Sequence, residues 1–227
     1  MPRKNARQHR PSTPVAKAVS LAGAPRSGDD EATSPPRLIG GELKGRRLAF
    51  RPGGPTRPMK DRVRETLFDL LGTSIRGAIA IDLFAGTGAL GFEAISRGAV
   101  RAVFAERHFP TADCLRQSGR ELQVDDRIEV IAGDVLLWSR RLPPLPLDGP
   151  WMIFVSPPWK FFQTRLPELT ALMRVLAVEA PAESRFLVES DEAISASDMP
   201  DRLSEREGEQ PWDSRRLPPA ILHQKRL

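Results

Sequence analysis

The chain has 227 residues, of which 40% are hydrophobic, and it contains one cysteine and three histidines. That length fits one folded domain with additional segments. The single Cys114 excludes an internal disulfide, the scattered histidines exclude a clustered metal site, and no apolar run approaches the roughly 20 residues of a membrane span. We therefore expect a cytoplasmic protein that holds no metal ion and contacts no membrane.

Positive charge is concentrated near the N-terminus. Residues 1–60 contain 13 Lys/Arg and 4 Asp/Glu, whereas the other residues contain 21 and 25. Such asymmetry favours a polyanionic partner, nucleic acid first, although a solvated basic tail has the same composition. Residues 1–35 predict a disordered basic extension rather than a transit peptide, because their repeated prolines prevent a long amphipathic helix.

Residues 36–72 predict a short hairpin followed by a helix. The stretch from Leu38 to Phe50 alternates weakly, and glycines and prolines mark its turns. Apolar residues from Thr56 to Leu71 recur at helical spacing, and Gly72 provides a stop. Another face of this helix is basic, which indicates either phosphate contacts or a solvated surface; its residues are Arg57, Lys60 and Arg64.

Residues 73–227 alternate short apolar runs with helical patterns. Buried strands separated by helices are typical of a mostly parallel sheet with helices on both faces, an α/β fold. A closing antiparallel pair near the C-terminus has only a weak pattern. The predicted strands are Ala78 to Phe84, Val100 to Ala105, Ile128 to Ala132, Trp151 to Val155 and Arg185 to Glu189. The predicted helices are Ala89 to Arg97, Pro110 to Leu122 and Leu166 to Val178.

A glycine-rich turn follows the first of these strands and opens a helix. Gly86 and Gly88 allow close approach of the backbone to a ligand, and Glu106, which ends the next strand, can accept both hydroxyls of a ribose. The glycine spacing also matches the dinucleotide fingerprint. Asp82 favours S-adenosylmethionine instead, because its carboxylate would repel a pyrophosphate and attract a sulfonium or ammonium group.

Asp134, before Val135, follows the third predicted strand. Its carboxylate is a candidate acceptor for the amino group of adenine, while an aspartate at such a position often only caps a turn.

The fourth strand ends in Ser156-Pro157-Pro158-Trp159. In open α/β sheets, ligands bind in the crevice beyond such a strand end. The motif resembles the Asp/Asn-Pro-Pro-aromatic motif of amino-group methyltransferases. That resemblance implies that a side-chain oxygen and the first proline's carbonyl accept the two N–H bonds of an exocyclic amine, that the prolines fix the backbone, and that the tryptophan stacks on the base. The alternative is that the prolines only break the chain after the strand.

These motifs resemble RsmD-type ribosomal RNA guanine-N2 methyltransferases, which are class I S-adenosylmethionine-dependent enzymes. The resemblance runs from about Arg37 to Glu189 and is most specific before the glycine turn, in RLIGG from Arg37, GRRL from Gly45, Arg57-Pro58 and DRVRETLF from Asp61. It implies a Rossmann-like fold with a seven-stranded, mostly parallel sheet, preceded by a small basic hairpin and helix that contact RNA. Residues 73–227 would form the methyltransferase domain.

The resemblance also assigns residues to roles. The cofactor S-adenosylmethionine is expected at Asp82, Phe84, Gly86, Gly88, Glu106, Asp134 and Val135. The target base is expected at Ser156, Pro157, Pro158 and Trp159. The RNA contacts are expected at Arg46, Arg47, Arg57, Lys60 and Arg64.

The expected reaction is methylation of the N2 amine of a guanine in 16S RNA, with the small ribosomal subunit as partner and the enzyme as a monomer. Three departures from the family pattern are Met59-Lys60 after Arg-Pro, Ser156 in place of Asp or Asn, and a C-terminus without tyrosine. Ser156 keeps two alternatives open: methylation of an amine in DNA or protein, and an RNA-binding assembly factor with a degenerate site.

Overall fold

The computed structural model describes residues 34–52, 59–205 and 208–227. The expectations for residues 1–33 and for Arg57 lie outside these ranges. Within them, no helix is both long and apolar enough to cross a membrane.

One seven-stranded sheet organises the described residues. Its strands are β1 (Ile79–Asp82), β2 (Arg101–Glu106), β3 (Ile128–Ala132), β4 (Trp151–Val155), β5 (Arg185–Asp191), β6 (Asp213–Leu217) and β7 (Ala220–Arg226). They lie in the order β3-β2-β1-β4-β5-β7-β6. Neighbours among β1 to β5 are parallel, while β7 is antiparallel to β5 and β6. The predicted parallel sheet and its closing antiparallel pair are both present.

Helices cover both faces of this sheet, as predicted. They are α1 (Asp61–Leu71), α2 (Ala89–Ser96), α3 (Phe109–Leu122), α4 (Lys160–Thr164) and α5 (Leu166–Glu179). One apolar cluster joins α1, α2 and α3 to one face through residues such as Phe68, Phe92 and Leu115. A second cluster joins α5 to the other face through Leu172 and Leu176. The sequence pattern did not predict α4, because five residues after two prolines are too few to show a helical period.

The segment before α1 is attached to the outer side of α2 and α3. Its hairpin is reduced to one bridge, between Arg37 and Arg47. Further backbone hydrogen bonds join its two arms, such as that from the Leu38 amide to the Arg46 carbonyl at 2.9 Å. Side chains of the two helices accept from other amides of the segment: Glu93 accepts from the Ile39 amide at 2.8 Å, and Ser118 accepts from the Ala49 amide at 2.9 Å. Since Leu38 and Leu48 belong to the same apolar cluster as α1 and the sheet, the segment of residues 36–50 and α1 share a core with the sheet.

The predicted phosphate contact of Arg64 is wrong. Its side chain is 0% exposed, and its guanidinium donates to the Arg37 carbonyl at 2.6 Å and to Asp61 Oδ1 at 2.9 Å. Its Nε lies 3.9 Å from the buried Glu93 carboxylate. Arg64 therefore joins the N-terminal segment to α1 and α2, and it cannot reach an RNA phosphate.

Candidate cofactor and substrate site

The topology brings most of the predicted site residues to one edge of the sheet. Strands β1 to β4 point the same way, so Asp82, Glu106, Asp134 and Ser156 all lie at or just beyond carboxyl ends. β1 lies between β2 and β4, which places the glycine turn between Glu106 and the Ser-Pro-Pro-Trp motif. Parallel α/β sheets bind ligands at this edge.

The turn after β1 requires its glycines. Gly86 and Gly88 have φ angles of 50° and 76°, in the left-handed region where a side chain is strained. A Cβ on Gly88 would also lie 2.5 Å from Leu115 Cδ2. The two glycines therefore allow the chain to bend sharply between β1 and α2, and Gly88 allows the turn to pack closely against α3.

Asp82 stabilises this turn from beneath. Its side chain is buried, and its Oδ2 accepts from the Gly91 amide in the first turn of α2 at 3.2 Å. Burial raises the pKa of Asp82 to about 7, the Gly91 bond opposes that shift, and the charge of Glu106 adds to it. The carboxyl is thus only partly ionised near neutral pH, and a cation nearby would favour the ionised form. Because only 1% of Asp82 is exposed, it acts on a ligand through the turn and its charge rather than by direct contact.

The structure orients Glu106 before any ligand arrives. Its Oε2 accepts from the Gly86 amide at 2.9 Å and its Oε1 from the His108 amide at 2.7 Å. A carboxylate has about four lone-pair sites, so two acceptor positions remain for hydroxyl donors. The fixed side chain and its spare lone pairs suit a ribose diol.

Asp134 and Phe84 lie at the same edge of the sheet, beside the glycine turn and Glu106. Asp134 Oδ1 accepts from the Leu136 amide at 3.0 Å, so the capping function considered for this residue is present. Its Oδ2 lies 3.8 Å from Arg165 and belongs to a side chain that is 37% exposed. Phe84 packs edge-on against Phe161, with ring centroids 6.3 Å apart. Val135, which follows Asp134, is buried.

The Ser-Pro-Pro-Trp motif joins β4 directly to α4. Pro157 is buried, Pro158 is exposed, and the partly buried Trp159 packs against the cluster that contains α1. The carbonyls of Pro158 and Trp159 accept from the amides of the first residues of α4 at 2.8 and 3.0 Å. The helix therefore fixes the backbone around the motif, beside the half-buried Ser156.

Glu189, which the sequence pattern did not single out, contacts the motif. Ser156 Oγ donates a hydrogen bond to Glu189 Oε2 across the parallel pair β4–β5, in which Val155 lies opposite Val188. Glu189 is 8% exposed. Burial raises the pKa of this carboxyl, and the bond from Ser156 opposes the rise. Sequence spacing alone could not reveal the pair, because 33 residues separate its members.

Exposed basic side chains stand next to three of the elements described above. Lys60, Arg107 and Lys160 are exposed, and none of the ion pairs among the described residues involves them. Lys60 precedes α1, Arg107 follows β2, and Lys160 follows the substrate motif. We call these three residues the basic rim.

The predicted RNA contacts Arg46 and Arg47 lie elsewhere. Arg46 donates to the Glu121 carbonyl at 2.6 Å, in the last turn of α3, and α3 runs away from the glycine turn. Arg47 donates to the Pro35 carbonyl at 3.3 Å. Both side chains are exposed, but Arg46 lies toward the end of the sheet at which the parallel strands begin, away from the glycine turn.

Comparison with known proteins agrees with this geometry. The chain is 36% identical over 122 residues to "Ribosomal RNA small subunit methyltransferase D" of Buchnera aphidicola subsp. Acyrthosiphon pisum, a match covering 54% of this chain and 62% of that protein. It is 35% identical over 124 residues to the protein of the same name from Escherichia coli strain K12, covering 55% of this chain and 60% of that protein. The chain thus spans less than two thirds of the length of either relative.

Among solved structures, the one described as "Putative methyltransferase yhhF from Escherichia coli" is similar with a TM-score of 0.67 and 26% identity, covering 85% of this chain and 98% of that chain. The relatives and the fold confirm the predicted resemblance to RsmD-type methyltransferases and the class I architecture. The sequence model of one family matches residues 36–208, most of the chain. The chain therefore belongs to the family described as Conserved hypothetical protein 95.

Proposed function

We propose that this chain methylates the N2 amine of a guanine in small-subunit ribosomal RNA. One observation carries the proposal: two groups of residues lie at the same edge of the sheet. The first is the glycine turn with Glu106, whose side chain is fixed by two hydrogen bonds, and the second is the Ser-Pro-Pro-Trp motif with Glu189 bonded to its serine. The glycine turn and Glu106 suit a cofactor that contains a nucleoside, and the Ser-Pro-Pro-Trp motif suits an amine on a planar base. The names of the two RNA methyltransferase relatives support the same substrate class.

The residues present fit S-adenosylmethionine. The turn at Gly86 and Gly88 would hold the methionine part, Glu106 would accept the ribose hydroxyls, and Asp134 would accept from the adenine amino group. Phe84 and Val135 would provide apolar contacts beside the adenine. The bound cofactor supplies an electrophilic methyl group on a sulfonium. A cationic cofactor beside the turn would lower the raised pKa of Asp82, because it stabilises the ionised carboxylate.

The substrate motif would hold the amine for attack. The lone pair of an exocyclic amine is delocalised into the base, so the amine needs acceptors for both N–H bonds before that lone pair can point at the methyl group. Ser156 Oγ and the Pro157 carbonyl would be these acceptors, Pro158 would fix the backbone, and Trp159 would stack on the base. Alignment of this kind accounts for much of the rate in such transfers.

The test is transfer of labelled methyl groups to small ribosomal subunits from a strain that lacks the corresponding enzyme. Nucleoside mass spectrometry then identifies the product. We expect N2-methylguanosine only when the protein is present. Glu106→Gln, which removes a charge from the cofactor site, should reduce transfer, while Glu129→Gln, on the exposed side of β3, serves as the matched control.

Two results would change the assignment. Label in DNA, in protein or in another nucleoside, with none in guanosine, would move the activity to that substrate. Measured cofactor binding without transfer to any of these substrates would favour an RNA-binding assembly factor instead.

A further inference from the structure

We propose that Glu189 is a positioning residue for methyl transfer, which holds the Ser156 hydroxyl so that its oxygen lone pairs face the target amine, and which takes up, through Ser156, the proton that the amine loses. The inference rests on the proposed function, because it concerns the amine that the motif would bind. The inference is based on the hydrogen bond that Ser156 Oγ donates to Glu189 Oε2. The family pattern expected Asp or Asn at the first motif position; this chain has Ser156 there and a carboxylate next to it on the neighbouring strand.

The geometry makes the bond an extension of the site. Val155 and Val188 are register partners, so Ser156 and Glu189 are each the next residue along two paired parallel strands. Glu189 has no ion-pair partner among the residues that the structure describes. Opposite it on β7 is the apolar Leu222, and the ring of His223 is bonded to Ser190 and Ser214.

A purely structural role does not explain this arrangement. A buried carboxylate is costly unless its acceptors are used, and this one accepts a hydrogen bond from the Ser156 hydroxyl at the edge of the crevice. Two apolar residues at these positions would pack against the cluster that contains Leu187 and Leu222 at lower cost. The pair is therefore better explained by what it does to the serine oxygen.

The chemistry follows from the direction of the bond. Because the hydroxyl proton points at Glu189, the lone pairs of Ser156 Oγ point away from it and are available to an N–H donor. A charged acceptor behind the hydroxyl also makes Oγ a stronger acceptor than an isolated serine. Ser156 and Glu189 together thus provide the oxygen acceptor and the negative charge that a single aspartate would provide. The negative charge is separated from the amine by one additional hydrogen bond.

Ser156 and Glu189 can also remove the proton that the amine loses on methylation. The amine nitrogen gives its lone pair to the new N–C bond, the sulfur keeps the electron pair of the broken S–C bond, and one N–H proton must leave. That proton moves to Ser156 Oγ as the hydroxyl proton moves to Glu189 Oε2. The neutral Glu189 then releases its proton to water, which its 8% exposure allows.

The experiment moves the carboxylate between the two positions. Glu189→Gln, Ser156→Asp and the double variant S156D/E189Q are compared in kcat and KM for small subunits and in Kd for S-adenosylmethionine. We expect E189Q to lower kcat by about tenfold or more, the value of one charge-assisted hydrogen bond, with the cofactor Kd unchanged. The double variant should recover most of the loss, because its carboxylate stands at the first motif position and can accept from the amine directly. Glu192→Gln, an exposed carboxylate on the same side of the molecule, is the matched control.

The pH profile gives a readout that a structural role would not change. Glu189 must be ionised to accept the proton, so wild-type kcat should fall as the pH drops through the raised pKa of this carboxyl. The acid limb should be absent in E189Q and should move to lower pH in S156D/E189Q. Thermal melting of each variant controls for folding.

Separate results overturn the inference and the proposed function. Equal kcat in wild type and E189Q, or a loss that S156D/E189Q does not recover, would overturn the role of Glu189 alone. If E189Q does not fold, Ser156→Ala removes the same bridge, and unchanged kcat in that variant would overturn the role. A wild-type protein that binds cofactor and never methylates subunit RNA would overturn the proposed function, and the role of Glu189 with it.

Discussion

Asp82 shows how one residue couples the fold to the cofactor site. Its carboxyl lies beneath the glycine turn and accepts from Gly91, so the ionised form is bonded but has little water around it. Burial therefore dominates and raises the pKa of Asp82 from 3.8 to about 7. The glycine turn consequently rests on a group that is only marginally ionised at neutral pH.

This shift predicts a pH dependence of stability. Between pH 3.8 and about 7 the folded state keeps a proton on Asp82 that the unfolded state has lost, so raising the pH through this window destabilises the fold. The contribution is at most about 4 kcal/mol, from the size of the shift. Urea unfolding at a series of pH values should show wild type losing stability relative to Asp82→Asn as the pH rises from 4 to 8.

The control for this prediction is Asp113→Asn, whose side chain is 76% exposed on α3. It should follow the wild-type pH curve. Parallel curves for wild type and D82N would show that the Asp82 carboxyl titrates as an ordinary aspartate, contrary to the expectation.

At the scale of elements, Glu93 of α2 connects three parts of the chain. Its carboxylate accepts from the Ile39 amide and from Arg97 Nε, both at 2.8 Å, and lies 3.9 Å from Arg64 Nε. The side chains of Glu93 and Arg64 are fully buried. Such a pair contributes less by its attraction than it costs when one member is removed, because the remaining charge stays buried.

We therefore expect Glu93→Gln to lower the free energy of unfolding by roughly 3 kcal/mol, since the buried Arg64 then keeps only the partly exposed carboxylate of Asp61. The combined change R64M/E93Q should cost clearly less than the sum of its single variants, because it removes both charges. Urea denaturation measures both quantities. Glu65→Gln, on the exposed side of α1, should stay within about 0.5 kcal/mol of wild type. A similar cost for E93Q and E65Q would contradict the role of the pair.

The same elements show what could be predicted from the sequence. Strands β1 to β5 were predictable because each is a local apolar run followed by turn residues, and the glycine turn and Glu106 were predictable because their chemistry depends on position along those strands. Arg64 was assigned to the surface because its spacing matched Lys60, and only the fold shows that Glu93 lies beside it. Glu189 was missed for the same reason: its partner is adjacent in space and distant in sequence.

At the scale of the whole molecule, positive charge lies on two edges of the sheet. Arg46 contacts the last turn of α3, a helix of 14 residues, so it lies about 20 Å from the end where α3 begins after Glu106. The basic rim of Lys60, Arg107 and Lys160 lies instead around the crevice. A guanine bound at Trp159 would carry its flanking phosphates across this rim, whereas Arg46 and Arg47 could meet only a more distant part of the RNA.

This difference predicts a graded effect on RNA affinity. Each protein cation that neutralises a phosphate releases counterions, so Lys60→Gln, Arg107→Gln and Lys160→Gln should each weaken RNA binding and reduce the slope of log Kd against log salt by roughly one unit. Arg101→Gln removes the same charge at the opposite end of β2, where its exposed side chain faces away from the crevice, and should leave the slope unchanged. Equal slopes for Arg107→Gln and Arg101→Gln would mean that RNA reaches the crevice by another side, and that the rim is only a solvated surface. A smaller slope for Arg46→Gln as well would extend the RNA path across α3 to the far edge of the sheet.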